Sequence, residues 1–280
     1  MNELENTKVY KFNGKKDTVI SEKNISIGQG YFTVFAGPCA LENPEIALKT
    51  AKSVEKAGAN IFRSSLFKPR TSPYSYQGFG IEGVEILRAI KRETNLLLET
   101  EILTIDQLNI LVDEVDILRV GSRNMDNYEL LKEVGKTHKP IILKRNMSAT
   151  LEEFLFAAEY ILSVGNEKVI LCERGIRTFE TYTRNTLDIL AVPSLKELTH
   201  LPVIVDPSHS TGKSSLVPAA SRAAIAAGAD GLLIEVHPEP LKAFSDGQQS
   251  IDIPTFEKLM KEIYELAKIL NKKTFSPVLA

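Results

Sequence analysis

The sequence is poor in the features that mark several common protein classes. Its net charge is only −2, from 34 Lys and Arg against 36 Asp and Glu. That balance argues against a chain built to coat nucleic acid. Its two cysteines, Cys39 and Cys172, cannot make a disulfide framework and suit a reducing cytoplasm. No apolar run approaches the roughly 18 residues of a membrane span. The opening MNELENTKVYKFNGKKDT is charged throughout, unlike a signal peptide. No Gly/Ser linker or charge block interrupts the middle, so no second domain is expected. CxxC, HExxH and Gly-x-Ser-x-Gly motifs are absent.

What is present is ordinary globular material, 43% apolar and 25% charged. That is enough apolar surface to offset the entropy of ordering. A length of 280 residues fits two average domains or one α/β barrel of roughly 250 residues.

The pattern decides between them. Eight short runs rich in Ile, Leu and Val occur at 31–37, 60–67, 96–100, 116–121, 140–145, 168–175, 202–206 and 231–236. They read as strands buried on both faces. An amphipathic segment follows each: 44–57, 82–93, 104–113, 126–136, 150–163, 183–198, 214–227 and 254–271. Eight strand–helix units predict an α/β fold of the (β/α)8 TIM-barrel type spanning 31–280. Residues 1–30 read as an N-terminal β-hairpin extension, with Asn13-Gly14 at its turn, covering the N-terminal end of the barrel.

Chemistry in such barrels sits at the C-terminal ends of the strands. Polar residues gather there. One group is cationic: Arg63, Lys68, Arg70, Arg123, Lys144 and Arg174. Converging on one mouth, these charges repel unless anions sit among them, and a phosphorylated substrate supplies anions. Ser122 lies beside Arg123. The second group is Cys39, His209, Glu235 and Asp246. Thiolate, imidazole and two carboxylates suit a divalent metal such as Mn²⁺, Fe²⁺, Co²⁺ or Zn²⁺. Three of the four follow strands 1, 7 and 8, which are neighbours once the barrel closes. Cys172 lies inside a strand and reads as core. Gly78-x-Gly80-x-x-Gly83 spells a dinucleotide fingerprint, but about ten residues separate it from the preceding strand, where the fingerprint needs an immediate turn. It reads instead as a loop folding tightly over the mouth.

Several segments together resemble 3-deoxy-D-arabino-heptulosonate 7-phosphate (DAHP) synthase, type I beta, catalytic barrel only. They are Phe35-Ala36-Gly37-Pro38-Cys39, Lys68-Pro69-Arg70-Thr71-Ser72-Pro73, Gln77-Gly78-Phe79-Gly80, Leu143-Lys144-Arg145, Glu173-Arg174-Gly175, Asp206-Pro207-Ser208-His209-Ser210-Thr211-Gly212, Glu235-Val236-His237-Pro238 and Ser245-Asp246-Gly247. The resemblance implies a metal-dependent transferase that condenses phosphoenolpyruvate, erythrose 4-phosphate and water into DAHP and phosphate, the entry to the shikimate pathway. It implies Cys39, His209, Glu235 and Asp246 as metal ligands. Arg63, Lys68, Arg123, Lys144 and Arg174 would hold phosphoenolpyruvate. Lys68, Pro69, Arg70 and Thr71 would line the erythrose 4-phosphate end. Lys68, Cys39 and His209 are the expected catalytic residues, with Lys68 placed to give a proton to the developing alkoxide. The implied setting is cytoplasmic, as a homo-oligomer (tetramer or dimer) without nucleic-acid or membrane partners. The short ends leave no regulatory domain expected before or after the barrel.

Two other readings are kept. The related 3-deoxy-D-manno-octulosonate 8-phosphate synthases share Gly-Pro-Cys and Glu-Arg-Gly, but typically carry Ala-Asn-Arg-Ser where this chain has Pro69-Arg70-Thr71-Ser72. A catalytically dead barrel serving as a binding partner would have lost a ligand or a phosphate-binding cation, and none is missing. Arg119 stands where a neutral residue is expected.

Overall fold

A computed structural model describes residues 3–12, 15–70 and 72–275. Two antiparallel strands come first, β1 (Val19–Glu22) and β2 (Ile25–Gly28). Then β3 (Tyr31–Gly37) and α1 (Pro44–Lys56) begin an alternation. It continues through β4 (Ile61–Ser64), α2 (Gly83–Glu93), β5 (Leu97–Ile102), α3 (Ile105–Leu111), β6 (Ile117–Val120) and α4 (Tyr128–Lys136). Next come β7 (Ile141–Lys144), α5 (Leu151–Ser163), β8 (Val169–Glu173), α6 (Ala191–Leu198) and β9 (Val203–Val205). After β9 a short α7 (Pro207–Thr211) precedes α8 (Val217–Ala226), and β10 (Gly231–Glu235) and α9 (Ile253–Ile269) complete the set. Strands β3 to β10 are parallel, and β10 pairs back onto β3 with Glu235 opposite Gly37. The barrel is therefore closed, as the count of eight units predicts. No helix among the described residues is long and apolar enough to cross a membrane.

Local chemistry sets the helix starts. Asn43, Thr104, Thr150 and Asp252 each accept a backbone N–H at the start of α1, α3, α5 and α9. At α5, Glu153 completes a capping box with Thr150.

The barrel interior is layered. Phe35, Ile61, Leu97, Ile117, Ile142, Ile170, Ile204 and Leu233, one from each strand, form an apolar floor. Side chains on a strand alternate, so the residue two further on faces the same way. Those residues are Gly37, Arg63, Glu99, Arg119, Lys144, Cys172, Asp206 and Glu235. The second layer thus carries three cations and three carboxylates, all buried. Arg63 meets Glu235 at 3.1 Å, Lys144 meets Asp206 at 2.5 Å and Arg119 meets Glu99 at 3.4 Å. Removing one partner of such a pair costs about 3–5 kcal/mol.

Two expectations are corrected. The turn expected at Asn13-Gly14 lies outside the described residues. The hairpin observed further on, β1–β2, turns at Lys23-Asn24, with Lys23 at φ 51°. Its Ile20, Ile25 and Ile27 pack with the apolar floor and close the N-terminal end of the barrel. The preceding Val-Tyr-Lys-Phe stretch is held elsewhere. Val9 N donates to Glu159 at 2.8 Å, and Lys11 N donates to the Leu198 carbonyl at 2.9 Å. The helix expected from 183 starts only at Ala191. Residues 184–185 form a bend and Thr186 an isolated bridge to Ile176 instead. Their backbone N–H groups donate to the Thr211, Ser210 and Ile176 carbonyls, which takes them out of reach of a helix.

Candidate active site

The barrel mouth holds a cavity of about 450 Å³. Ten of the residues singled out in the sequence line it: Arg63, Lys68, Pro69, Arg70, Ser122, Arg123, Lys144, Arg174, His209 and Asp246. Thr71 lies outside the described residues.

Cys39, His209, Glu235 and Asp246 converge beside the cavity, each offering one ligand atom, all within 4.8 Å of one another. Two ligands on opposite sides of an ion at about 2.0–2.3 Å are about 4.0–4.6 Å apart, so a cluster of this span needs only a few tenths of an ångström of contraction to hold a small divalent cation. The Cys39 thiol donates to Asp246 Oδ2 at 3.0 Å, and His209 Nε2 is 3.5 Å from Glu235 Oε1. The other ring nitrogen, Nδ1, faces Asp206 Oδ2 at 2.7 Å. A carboxylate behind a histidine fixes which nitrogen is presented as a ligand. Asp246 is reached by a left-handed turn, φ 53°.

Electrostatics follow from burial. Burial pushes the Cys39 thiol up to about 12, with Glu235 adding to the rise and Lys68 opposing it. Burial likewise pulls His209 down to about 4, against the pull of Asp206 and Glu235. Burial works to raise Asp246, yet His209, the Cys39 hydrogen bond and Lys68 outweigh it and hold the carboxylate below its usual range. The chemistry of this donor set therefore fits a divalent cation, which favours the ionised thiol.

The six cations divide by partner. Arg63 and Lys144 are neutralised by carboxylates of their own layer, Glu235 and Asp206. Lys68 Nζ donates to Cys39 Sγ at 3.0 Å. Arg70 lies 3.7 Å from Asp246 and also donates to Ser245. Arg123 and Arg174 bond only backbone carbonyls, those of Pro69 and Gly175, among the described residues. Arg174 is buried, its Nε has no hydrogen-bond partner there, and burial lowers its pKa. A buried guanidinium facing a cavity without a counter-charge is a place for an anion.

The same cavity exposes residues that the sequence left unassigned: Glu101, Arg119, Gly121, Arg177, Arg184 and Asn185. Arg184 was hidden by the helical reading of 183–198. The glycine-rich loop folds back on the segment that follows β4: Gly80 N donates to the Leu66 carbonyl and Lys68 N to the Gln77 carbonyl. Gly78 sits at φ +104°, where a Cβ would overlap the Leu66 carbonyl.

A family model described as the DAHP synthetase I family matches residues 17–272. A phospho-2-dehydro-3-deoxyheptonate aldolase of Thermotoga maritima is 50% identical over 258 residues, which are 92% of this chain and 76% of that protein. A 2-dehydro-3-deoxyphosphooctonate aldolase of Syntrophobacter fumaroxidans is 31% identical over 264 residues, 88% of this chain and 91% of that protein. Among solved structures, the DAHP synthase of Thermotoga maritima superposes with a TM-score of 0.93 at 48% identity, covering 95% of this chain and 78% of that one. A truncated form of the Thermotoga maritima 3-deoxy-D-arabino-heptulosonate 7-phosphate synthase gives 0.89 at 46% identity, covering 95% and 97%.

Proposed function

The chain belongs to the DAHP synthetase I family, and from that membership we propose that it condenses phosphoenolpyruvate with erythrose 4-phosphate and water to give DAHP and phosphate. The observation that carries the reading is one mouth holding both a Cys–His–Glu–Asp cluster and cations without carboxylate partners. Identity is also much higher to the heptonate aldolase than to the octonate aldolase, 50% against 31%.

In this reading C3 of phosphoenolpyruvate attacks the aldehyde carbon. Water adds at C2, and phosphate leaves by cleavage of its C–O bond. Arg63, Lys68, Arg123, Lys144 and Arg174, which line one cavity, bind the phosphate and carboxylate of phosphoenolpyruvate. Ser122 completes that side. Lys68, Pro69, Arg70 and Thr71 receive the aldose phosphate. Lys68 Nζ lies beside Cys39, where it can pass a proton to the aldehyde oxygen as negative charge develops. Cys39, His209, Glu235 and Asp246 would hold the divalent cation, Mn²⁺, Fe²⁺, Co²⁺ or Zn²⁺, which when bound supplies Lewis-acid polarisation of an oxygen or activation of a water. The proposed assembly is a homo-oligomer, a tetramer or dimer, in the cytoplasm.

The test is a purified-enzyme assay offering erythrose 4-phosphate and arabinose 5-phosphate separately with phosphoenolpyruvate. Turnover with the four-carbon sugar is expected. Turnover with arabinose 5-phosphate alone would overturn the reading in favour of the octulosonate reaction. No turnover with either, at saturating Mn²⁺, would point to a binding partner.

A further inference from the structure

The cavity is lined by cations, with two carboxylates among its lining residues. Asp246 belongs to the metal cluster. Glu101, at the end of β5, does not. A carboxylate facing anionic reactants has a use only toward a hydrogen donor. In the proposed reaction the donors are water and the hydroxyls of the aldose, since phosphoenolpyruvate in its ionised form has none.

Glu101 is seated from two sides. Its Oε2 lies 3.4 Å from Ser65 Oγ and 3.6 Å from the Arg119 guanidinium. Arg119, its register partner on β6, in turn donates to Ser65 Oγ at 2.7 Å. On the other side Gly121 leaves room: a Cβ there would overlap Glu101 Oε1. The backbone of Gly121, φ −70° and ψ 160°, is open to any residue, so glycine is needed for that space and not for its conformation. Arg119 brings a charge to a wall already rich in cations, and Glu99 lies against it in the same layer.

We propose that Arg119 is a positioning residue: with Ser65 and the bare Gly121 it fixes the Glu101 carboxylate at the cavity wall toward the reacting water or aldose hydroxyl, and Glu99 cancels the charge Arg119 introduces. This rests on the proposed condensation. It accounts for the arginine at 119, which substrate phosphate does not require. The charged groups around Glu101 are Arg119 from the neighbouring β6, Glu99 from its own strand β5, Lys68 from the loop after β4, Lys144 from β7 and His209 from α7. Burial alone would raise the Glu101 pKa, and Arg119, then Lys68 and Lys144, hold it low.

The experiment compares Glu101→Gln, Gly121→Ala, and the pair Glu99→Gln with Arg119→Gln, all saturated with Mn²⁺. Replacing both members of the buried pair avoids stranding Glu99, and Lys68 and Lys144 still act on Glu101, so that variant should fold, with a melt to check it. Each change should lower kcat by about tenfold or more while KM for phosphoenolpyruvate stays within about threefold, the pattern of a lost transition-state contact. Combining either seat variant with Glu101→Gln should add little, because all act through one carboxylate. The acid limb of the kcat profile should move to higher pH in the paired variant. Full additivity with Glu101→Gln, or a rise in KM for phosphoenolpyruvate with kcat unchanged, would overturn the proposal. Crystal structures of the seat variants read the Glu101 rotamer directly, and a carboxylate left in place would also overturn it. That readout stands whether or not the unaltered chain proves to turn over the proposed substrates.

Discussion

One carboxylate oxygen, Oδ2 of Asp206, lies 2.7 Å from His209 Nδ1 and 2.5 Å from Lys144 Nζ. It thereby ties a proposed metal ligand to a proposed phosphate-binding cation. Its other oxygen accepts the His209 backbone N–H at 2.8 Å and caps α7. Burial opposes ionisation of Asp206, but His209 and Lys144 hold its pKa well below the usual range. An Asp206→Asn variant keeps the cap and loses the charge. It should bind Mn²⁺ about 10–100-fold more weakly, the usual effect of removing a carboxylate behind a histidine ligand. It should also raise KM for phosphoenolpyruvate by freeing Lys144. Metal titration followed by calorimetry, and steady-state kinetics at saturating Mn²⁺, check the two effects separately.

Chelation should abolish turnover without unfolding the chain. In the absence of a cation Glu235 still has Arg63 and Gln249, and Asp246 still has the Cys39 thiol and Arg184. Restoring Mn²⁺ to about 100 times its Kd should return activity and add about 2.7 kcal/mol of stability. A thermal melt with and without the ion measures that gain. A Cys39→Ser variant should lose most of both effects. If it keeps full metal-dependent activity, the ligand assignment fails.

Glu42 braces the loop that delivers Asp246. Its Oε1 accepts the Phe244 backbone N–H at 2.7 Å, and its Oε2 lies 3.3 Å from His237 Nε2. The His237 Nδ1 accepts the Glu239 N–H at 3.0 Å, which leaves the proton on Nε2 facing the carboxylate. The Glu42 and His237 side chains are buried, and Glu42 shares its loop with Cys39. Glu42→Ala should therefore leave the buried His237 Nε2–H and the part-buried Phe244 N–H without their acceptor and loosen two ligand loops together. The expected outcome is a loss of about 1–3 kcal/mol in stability and weaker Mn²⁺ binding, with the aldose preference unchanged. Denaturant melts and metal titration test it, and unaltered metal affinity would refute the bracing role.

The legibility of these features differs for physical reasons. Strands β3 to β10 stood out because they are buried on both faces and read as continuous apolar runs. The start of α6 did not, because residues 184–186 satisfy their N–H groups on the α7 loop and Ile176, a long-range competition that local pattern cannot show. The metal quartet was legible as a shared location and a donor set. The ion pairs beneath it were not, since Arg63 and Glu235 are 172 residues apart. Their logic appears only with register: two residues beyond the apolar floor, seven of eight strands present Arg, Glu, Arg, Lys, Cys, Asp or Glu inward. Arg119 looked anomalous in sequence because its partners Glu99 and Glu101 act across strands.

The N-terminal segment should come loose in mild acid. His200 Nε2 lies 3.0 Å from the Lys8 carbonyl oxygen, so it carries the proton, and Nδ1 then accepts the Thr18 hydroxyl at 2.7 Å. Thr18 N also donates to the His200 carbonyl. Burial holds the His200 pKa below its ordinary 6.5, with the Lys8 hydrogen bond opposing only in part. The unfolded chain, with His200 near 6.5, binds more protons below that pH than the folded one. Stability therefore rises with pH through this window and is lost as pH falls below about 6.5, by at most ~1.4 kcal/mol per pH unit for one proton. Melting points at pH 7.5 and 5.5 measure the loss. His200→Gln keeps a donor and an acceptor but cannot titrate, so it should lose less on acidification than the unaltered chain. Equal losses would sink the idea. Amide exchange at Thr18 should also quicken at pH 5.5 in the unaltered chain, because the histidine that holds the segment must then take up charge.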